Sequence, residues 1–198
     1  MTAKLISIIG PIGVGKTTLA DHLATELEAK IIHEDYDSNP FLTAAYAGDQ
    51  TLQLPSQLYF LMTRARQLTR ENLPETGIAI SDYGFCQDII YARKHLSVKE
   101  LETYESIANK IRPIIPDPEI IIKLDADVPE LMHRIHNRQR EFEKSIQPDF
   151  LEYLRQAHIE YSPPKNCKII NVDCQNSDML NIKNRDILVA KIKSLLTS

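Results

Sequence analysis

The string Gly10-Pro11-Ile12-Gly13-Val14-Gly15-Lys16-Thr17 fits the pattern G-x-x-x-x-G-K-[ST], which makes sense only between a β-strand and an α-helix. Both neighbours are present. Leu5 to Ile9 is a short apolar run rich in β-branched residues, and Thr17 to Glu28 contains no proline or glycine, so a strand enters the turn and a helix leaves it. The glycines let the backbone curl until its N–H groups face an anion. Lys16 adds a cation for the β- and γ-phosphates, Thr17 offers a hydroxyl to Mg²⁺, and the helix amino end adds positive potential. The loop from Gly10 to Thr17, with Thr18 behind it, is therefore the expected site for a nucleoside triphosphate.

Four further β-rich runs follow: Ile31 to Ile32, Ile78 to Ser81, Ile120 to Leu124 and Ile169 to Val172, with helix-patterned stretches between them. Alternating strands and helices imply a parallel sheet, and runs apolar throughout imply strands buried on both faces. The expected fold is α/β and P-loop NTPase-like: five parallel strands, helices on both faces and an arginine-rich lid. Gln53 to Arg70 reads as one long helix, and Ser97 with Glu100 makes a capping box before Leu101. Pro129 suits a first helical turn. The three prolines between Arg112 and Pro118 break the chain before the fourth strand. No repeat or linker interrupts residues 1–198, which read as a single domain.

Charge narrows the partner. With 23 Lys+Arg against 27 Asp+Glu and a net charge of −4, the chain lacks the overall positive field that gathers nucleic acid. Cys86, Cys167 and Cys174 fall in no zinc-binding spacing and read as reduced thiols of a cytoplasmic protein. The run Leu5 to Ile9 is too short for a membrane span. The triphosphate motif leaves open a switch, a motor or a small-molecule kinase. Neither N-K-x-D nor a D-x-x-G after a strand is present, which argues against the switch, and the chain is short for a motor.

In such folds ligands bind at the carboxyl ends of the strands. The third strand delivers Asp82 to that edge, the natural metal-side acid beside Thr17. The second delivers His33-Glu34-Asp35, and a carboxylate at Glu34, with Asp35 its main competitor, could take the proton of an attacking hydroxyl, a role worth roughly 10² to 10⁴ in rate. Gln57 and Arg64 lie seven apart on one helix face. The Gln57 amide could pair with a nucleobase edge, and Arg64 could pair with Asp88 and order it against the same base. Arg134, Arg138 and Arg140 cluster at the end of the helix after the fourth strand, where they could close over the triphosphate.

Four ordered segments resemble the deoxynucleoside kinase family: the phosphate loop, Glu34 followed by Asn39-Pro40-Phe41-Leu42 and Tyr46, the stretch Gln57 to Arg64, and Arg134 to Glu143. The resemblance runs over nearly the whole chain. It implies ATP and Mg²⁺ as donor and cofactor, with Thr17 and Asp82 on the metal. Glu34 would be the base for a 5′-hydroxyl, Lys16, Arg138 and Arg140 catalytic cations, and Gly10 to Thr18 with Arg134 and Arg138 the ATP site. Tyr46 and Glu143 would hold the 3′-hydroxyl, while Gln57, Arg64 and Asp88 would read the base. A homodimer is also implied.

Two positions depart from that pattern. Asp82-Tyr83-Gly84 stands where many relatives have acid-Arg-Ser, and Gln139 replaces a common lid glycine. The acid-Tyr variant together with Arg140 to Lys144 looks most like bacterial deoxyguanosine kinases, which makes deoxyguanosine the expected acceptor. The other readings are a nucleoside monophosphate kinase and a nucleotide-binding module without turnover.

Overall fold

The computed structural model describes residues 3–175 and 181–197. Five parallel strands, β1 (Lys4–Ile9), β2 (Lys30–Ile32), β3 (Ile78–Ser81), β4 (Ile120–Asp125) and β5 (Lys168–Asp173), form one sheet in the order β2-β3-β1-β4-β5. The expected five-stranded α/β sheet is thus present, each strand within a residue or two of its expected range. β1, the most buried, sits in the middle between β3 and β4. The chain after β1 therefore emerges at the point where crossovers turn to opposite halves of the sheet, which is where such folds open a crevice.

Eight α-helices accompany the strands among the described residues: α1 (Lys16–Glu26), α2 (Leu42–Tyr46), α3 (Gln53–Leu68), α4 (Gln87–His95), α5 (Val98–Ile111), α6 (Val128–Arg138), α7 (Pro148–Glu160) and α8 (Ile182–Thr197). Strand periodicity sends alternate side chains to opposite faces. In β1, Ile6 and Ile8 pack with Leu19, Ala20 and Leu23 of α1, whereas Leu5 packs with Leu68 of α3, Tyr83 and Ile115. Two apolar layers result, and each fixes one wall of the crevice.

Helix ends follow local chemistry. α1 stops two residues short of its expected end because Glu28 turns left-handed at φ 49°, and α3 stops at Leu68 because Thr69 is extended. The capping box at Ser97 and Glu100 forms as expected, and Pro129 lies in the first turn of α6. Gln139 ends α6 at φ 50°, ψ 37°. That left-handed conformation suits glycine and disfavours a side chain with a Cβ, by roughly 1 kcal/mol, which explains in physical terms why glycine is common there.

Replacing Gln139 by glycine should therefore raise stability by about 0.5–1 kcal/mol, the relief at the left-handed position exceeding the added entropy of the unfolded chain. A urea midpoint that moves down in Gln139→Gly would contradict this.

Candidate active site

The phosphate loop is shaped by what its glycines avoid. Gly10 has φ 151° and Gly13 φ 86°. A Cβ on Gly10 would lie 2.5 Å from the Leu124 carbonyl oxygen, and one on Gly13 would lie 3.0 Å from the Leu131 carbonyl oxygen. Only glycine lets the loop pass so close to β4 and α6. Val14 is buried in the core and anchors the turn, so among the expected loop residues it faces inward, while Ile12, Gly13, Gly15, Lys16, Thr17 and Thr18 line a cavity of about 310 Å³. The Lys16 ammonium donates to the Gly10 and Pro11 carbonyls at 2.9 and 3.0 Å. Burial pushes it down to about 8, against the pull of Glu34 and Asp82.

Asp82 sits at the tip of β3 and is 5% exposed. Its Oδ2 accepts from the Thr17 hydroxyl at 2.6 Å, and its Oδ1 accepts from the Glu34 backbone N–H at 2.7 Å. His33 Nδ1 lies 3.4 Å from Oδ2, and its Nε2 lies 3.1 Å from Asp21. One carboxylate thus joins the first turn of α1 to the end of β2. Two hard oxygen donors, a hydroxyl and a carboxylate, meet beside the loop lysine, and that donor set fits Mg²⁺, which takes few protein ligands and keeps waters and phosphate oxygens.

Glu34 lines the cavity. Its Oε1 accepts from Arg64 Nε at 2.9 Å and from Arg64 Nη2, while Arg64 Nη1 donates to Asp88 Oδ1. The expected Arg64–Asp88 pair is present, but Arg64 also holds Glu34, a partner 30 residues away that spacing does not reveal. Gln57, 5% exposed, faces the same cavity from α3. Asp88 does not line this cavity; it stands behind Arg64, 2% exposed. Burial pushes its carboxyl up to about 6, with Arg64 opposing and Glu34 assisting.

Across the cavity, Tyr46 packs edge-on to Phe142 and Phe150 with centroids at 6.0 and 6.4 Å, and burial raises its hydroxyl well above the usual range. Arg138 donates to Glu143 through Nε at 2.6 Å and through Nη2, and Arg140 Nη1 lies 3.6 Å from the same carboxylate. Glu143 is 3% exposed. The arginine-rich segment therefore folds onto its own acid and presents Arg138, Arg140 and Glu143 to the cavity.

Arg134 is placed differently from the other two arginines of this segment. It does not line the cavity; its Nε bonds Glu130 at 2.7 Å, and its Nη atoms donate to the Val14 and Cys174 carbonyls, both at 3.1 Å. Helical spacing puts it on one face with Arg138, but that face passes behind the phosphate loop before it reaches the cavity, so Arg134 braces the loop from outside.

Five lining residues, Leu42 among them, have no role assigned from the sequence. Tyr36 and Phe142 meet at 5.6 Å, with the Arg140 guanidinium 4.4 Å from the Tyr36 ring, and Phe60 and Tyr91 complete the apolar wall. Phe60 was findable, since it falls between Gln57 and Arg64 at helical spacing. Tyr36 and Phe142 are joined only by the tertiary fold.

Known proteins resemble this chain in sequence and in fold. The family model described as "Deoxynucleoside kinase" covers residues 6–197. Deoxyguanosine kinase of Bacillus subtilis (strain 168) is 33% identical, over 98% of this chain and 99% of the relative. Deoxyadenosine/deoxycytidine kinase of the same strain is 28% identical, over 98% and 93%. A solved structure of deoxyadenosine kinase from M. mycoides, with dCMP and dCDP bound, has the same fold: TM-score 0.78, 23% identity, 96% of this chain and 99% of that one.

The Asp88 carboxyl is raised in the folded state, from 3.8 to about 6. Its contribution to stability is present below pH 4 and is lost as the pH rises through about 6. Urea midpoints of wild type and Asp88→Asn between pH 4 and 7 should show wild type losing ground to the variant as the pH rises; parallel curves would contradict the buried, raised carboxyl.

Proposed function

The chain belongs to the deoxynucleoside kinase family, and from that premise we propose that it transfers the γ-phosphate of ATP to the 5′-hydroxyl of a deoxynucleoside, with deoxyguanosine the preferred acceptor. The observation that carries this reading is the placement of Glu34, at the tip of β2, in the same cavity as Lys16 and Thr17 of the phosphate loop. The greater likeness to the deoxyguanosine kinase, 33% against 28% for the deoxyadenosine/deoxycytidine enzyme, supports the choice of base, as do Tyr83 after Asp82 and the segment Arg140 to Lys144.

In this reading the triphosphate lies along the loop, its oxygens facing the N–H groups between Ile12 and Thr18. Lys16, with Arg138 and Arg140 from the far wall, neutralises the charge that spreads over the γ-phosphoryl oxygens as the bond to the β-phosphate loosens. Thr17 and Asp82 would hold Mg²⁺, which would supply charge neutralisation for the triphosphate when bound. Arg134 acts by holding the Val14 carbonyl, and so the shape of the loop.

The acceptor sugar fits between Tyr46 and Glu34. Both Arg64 bonds to Glu34 end on Oε1, so Oε2 is the oxygen that takes the proton as the 5′-oxygen attacks phosphorus. Tyr46 and Glu143, which share the far wall, hold the 3′-hydroxyl. Gln57 reads the base edge directly, with Arg64 and Asp88 ordering that side. Phe60, Tyr91 and the Tyr36–Phe142 contact exclude water from the reacting atoms. As part of the same reading, residues 1–198 act as one catalytic unit in a cytoplasmic homodimer, for which the exposed Met62, Ile114 and Ile159 offer apolar surface.

Glu34→Gln should lower turnover by about 10² to 10⁴ with ATP still bound, because the amide keeps an oxygen for Arg64 but cannot take the proton. Lys16→Ala should weaken ATP binding and phosphoryl transfer together. Steady-state assays with the four common deoxynucleosides and dGMP, alongside ATP binding, check both. Turnover unchanged in Glu34→Gln, or dGMP as the better acceptor, would overturn the reading.

A further inference from the structure

Arg64 is 4% exposed, and its guanidinium carbon lies 4.9 Å from the Phe60 ring centroid and 5.7 Å from that of Tyr83. The rings accept no conventional hydrogen bond, so its donors are spent on other partners. They go to Asp88 on one side and to Glu34 on the other. Among the described residues no other cation forms an ion pair with either carboxylate. One buried positive charge therefore serves two negative ones, of which Glu34 lines the cavity and Asp88 does not.

We propose that Arg64 is a coupling residue that transmits the state of Asp88, on the base side, to Glu34, on the phosphate side, so that base recognition and proton transfer are not independent. This rests on the assignment of Glu34 as the proton acceptor. In a buried site a lone ion pair is held tightly, whereas a cation shared by two anions is held less tightly by each. With Asp88 charged, Nη1 is tied to Asp88 and the guanidinium reaches Glu34 only through its Nε and Nη2 edge, on Oε1. Neutralising Asp88 releases Nη1 and lets the guanidinium turn wholly onto Glu34, away from the placement that leaves Oε2 facing the acceptor.

Tyr83 preserves this arrangement. It stands against Arg64 without bringing a second cation, and its hydroxyl donates to Gln67 Oε1 at 2.7 Å, while the Gln67 amide donates to the His33 carbonyl at 3.0 Å. The chain Tyr83–Gln67–His33 thereby fixes the end of β2 next to Glu34 and leaves the choice of partner to Arg64. Asp88 Oδ2 is buried and has no hydrogen-bond partner, so Asp88 is held through Oδ1 alone, and any change in its charge falls on Arg64.

The test is a double-mutant cycle on kcat and KM with deoxyguanosine and saturating ATP. Because Asp88 is not in the cavity lining, a residue that only shapes the base pocket would change KM and leave kcat alone. The coupling predicts instead that Asp88→Asn lowers kcat about tenfold, within the range of interaction energies for residues in one network, and that the same change in an Arg64→Lys background moves kcat less than twofold. Asp88→Glu, which keeps the charge, should recover most of the lost turnover. If Asp88→Asn does not fold, Asp88→Ser asks the same question. An effect of Asp88→Asn confined to KM, or equal effects in both backgrounds, overturns the coupling. Turnover intact in Glu34→Gln instead overturns the reading on which it rests, so the two failures are distinct.

Discussion

The Asp82 carboxylate is the joint between the two halves of this site. One oxygen accepts from Thr17 in the first turn of α1, the other from the backbone N–H of Glu34 at the end of β2. Strand β3 lies between β1 and β2 in the sheet, so its tip is the one place from which a short side chain reaches both neighbours. The distance between the phosphate loop and the Glu34 carboxylate is set by this bond pair, with sheet spacing as its ruler. Because the carboxylate is 5% exposed, its hydrogen bonds are made where water competes little, and losing either partner would leave a buried charge short of a donor.

Around that joint the cavity is built from pairs of opposite charge that answer to one another. Arg64 is balanced by Glu34 and Asp88, Arg138 and Arg140 by Glu143, and Lys16 by loop carbonyls with Glu34 and Asp82 nearby. A triphosphate would find its cations already oriented rather than free to wander. Such preorganisation is what phosphoryl transfer asks of a protein, since positioning and charge stabilisation are nearly all of the catalysis. Tyr83, which follows Asp82, brings no cation to this side, and the Glu34 carboxylate pairs with Arg64 of α3.

What could be read from the sequence was local. The phosphate loop, the five strands, the capping box at Ser97 and the role of Pro129 are all set by residues within a turn or two of one another, and each lies where expected. Pairings on one helix or across a known edge, such as Arg64 with Asp88, were legible once the sheet edge was assumed. The rest depended on which way helices roll. Spacing put Arg134 and Arg138 on one face but not which neighbour each meets: Arg138 lines the cavity, whereas Arg134 bonds the Val14 carbonyl. The Tyr36–Phe142 contact and the Arg64–Glu34 pair join segments far apart in the chain, and no local pattern encodes them.

The central claim is that Glu34 faces an acceptor hydroxyl across the gap from a loop-bound triphosphate. A crystal structure with deoxyguanosine and a non-hydrolysable ATP analogue tests it most directly. The 5′-oxygen should lie within hydrogen-bond reach of Glu34 Oε2, about 2.6–3.2 Å, and in line with the γ-phosphorus beside Lys16. A sugar seated with its 5′-oxygen away from Glu34, or a triphosphate bound outside the loop, would contradict it.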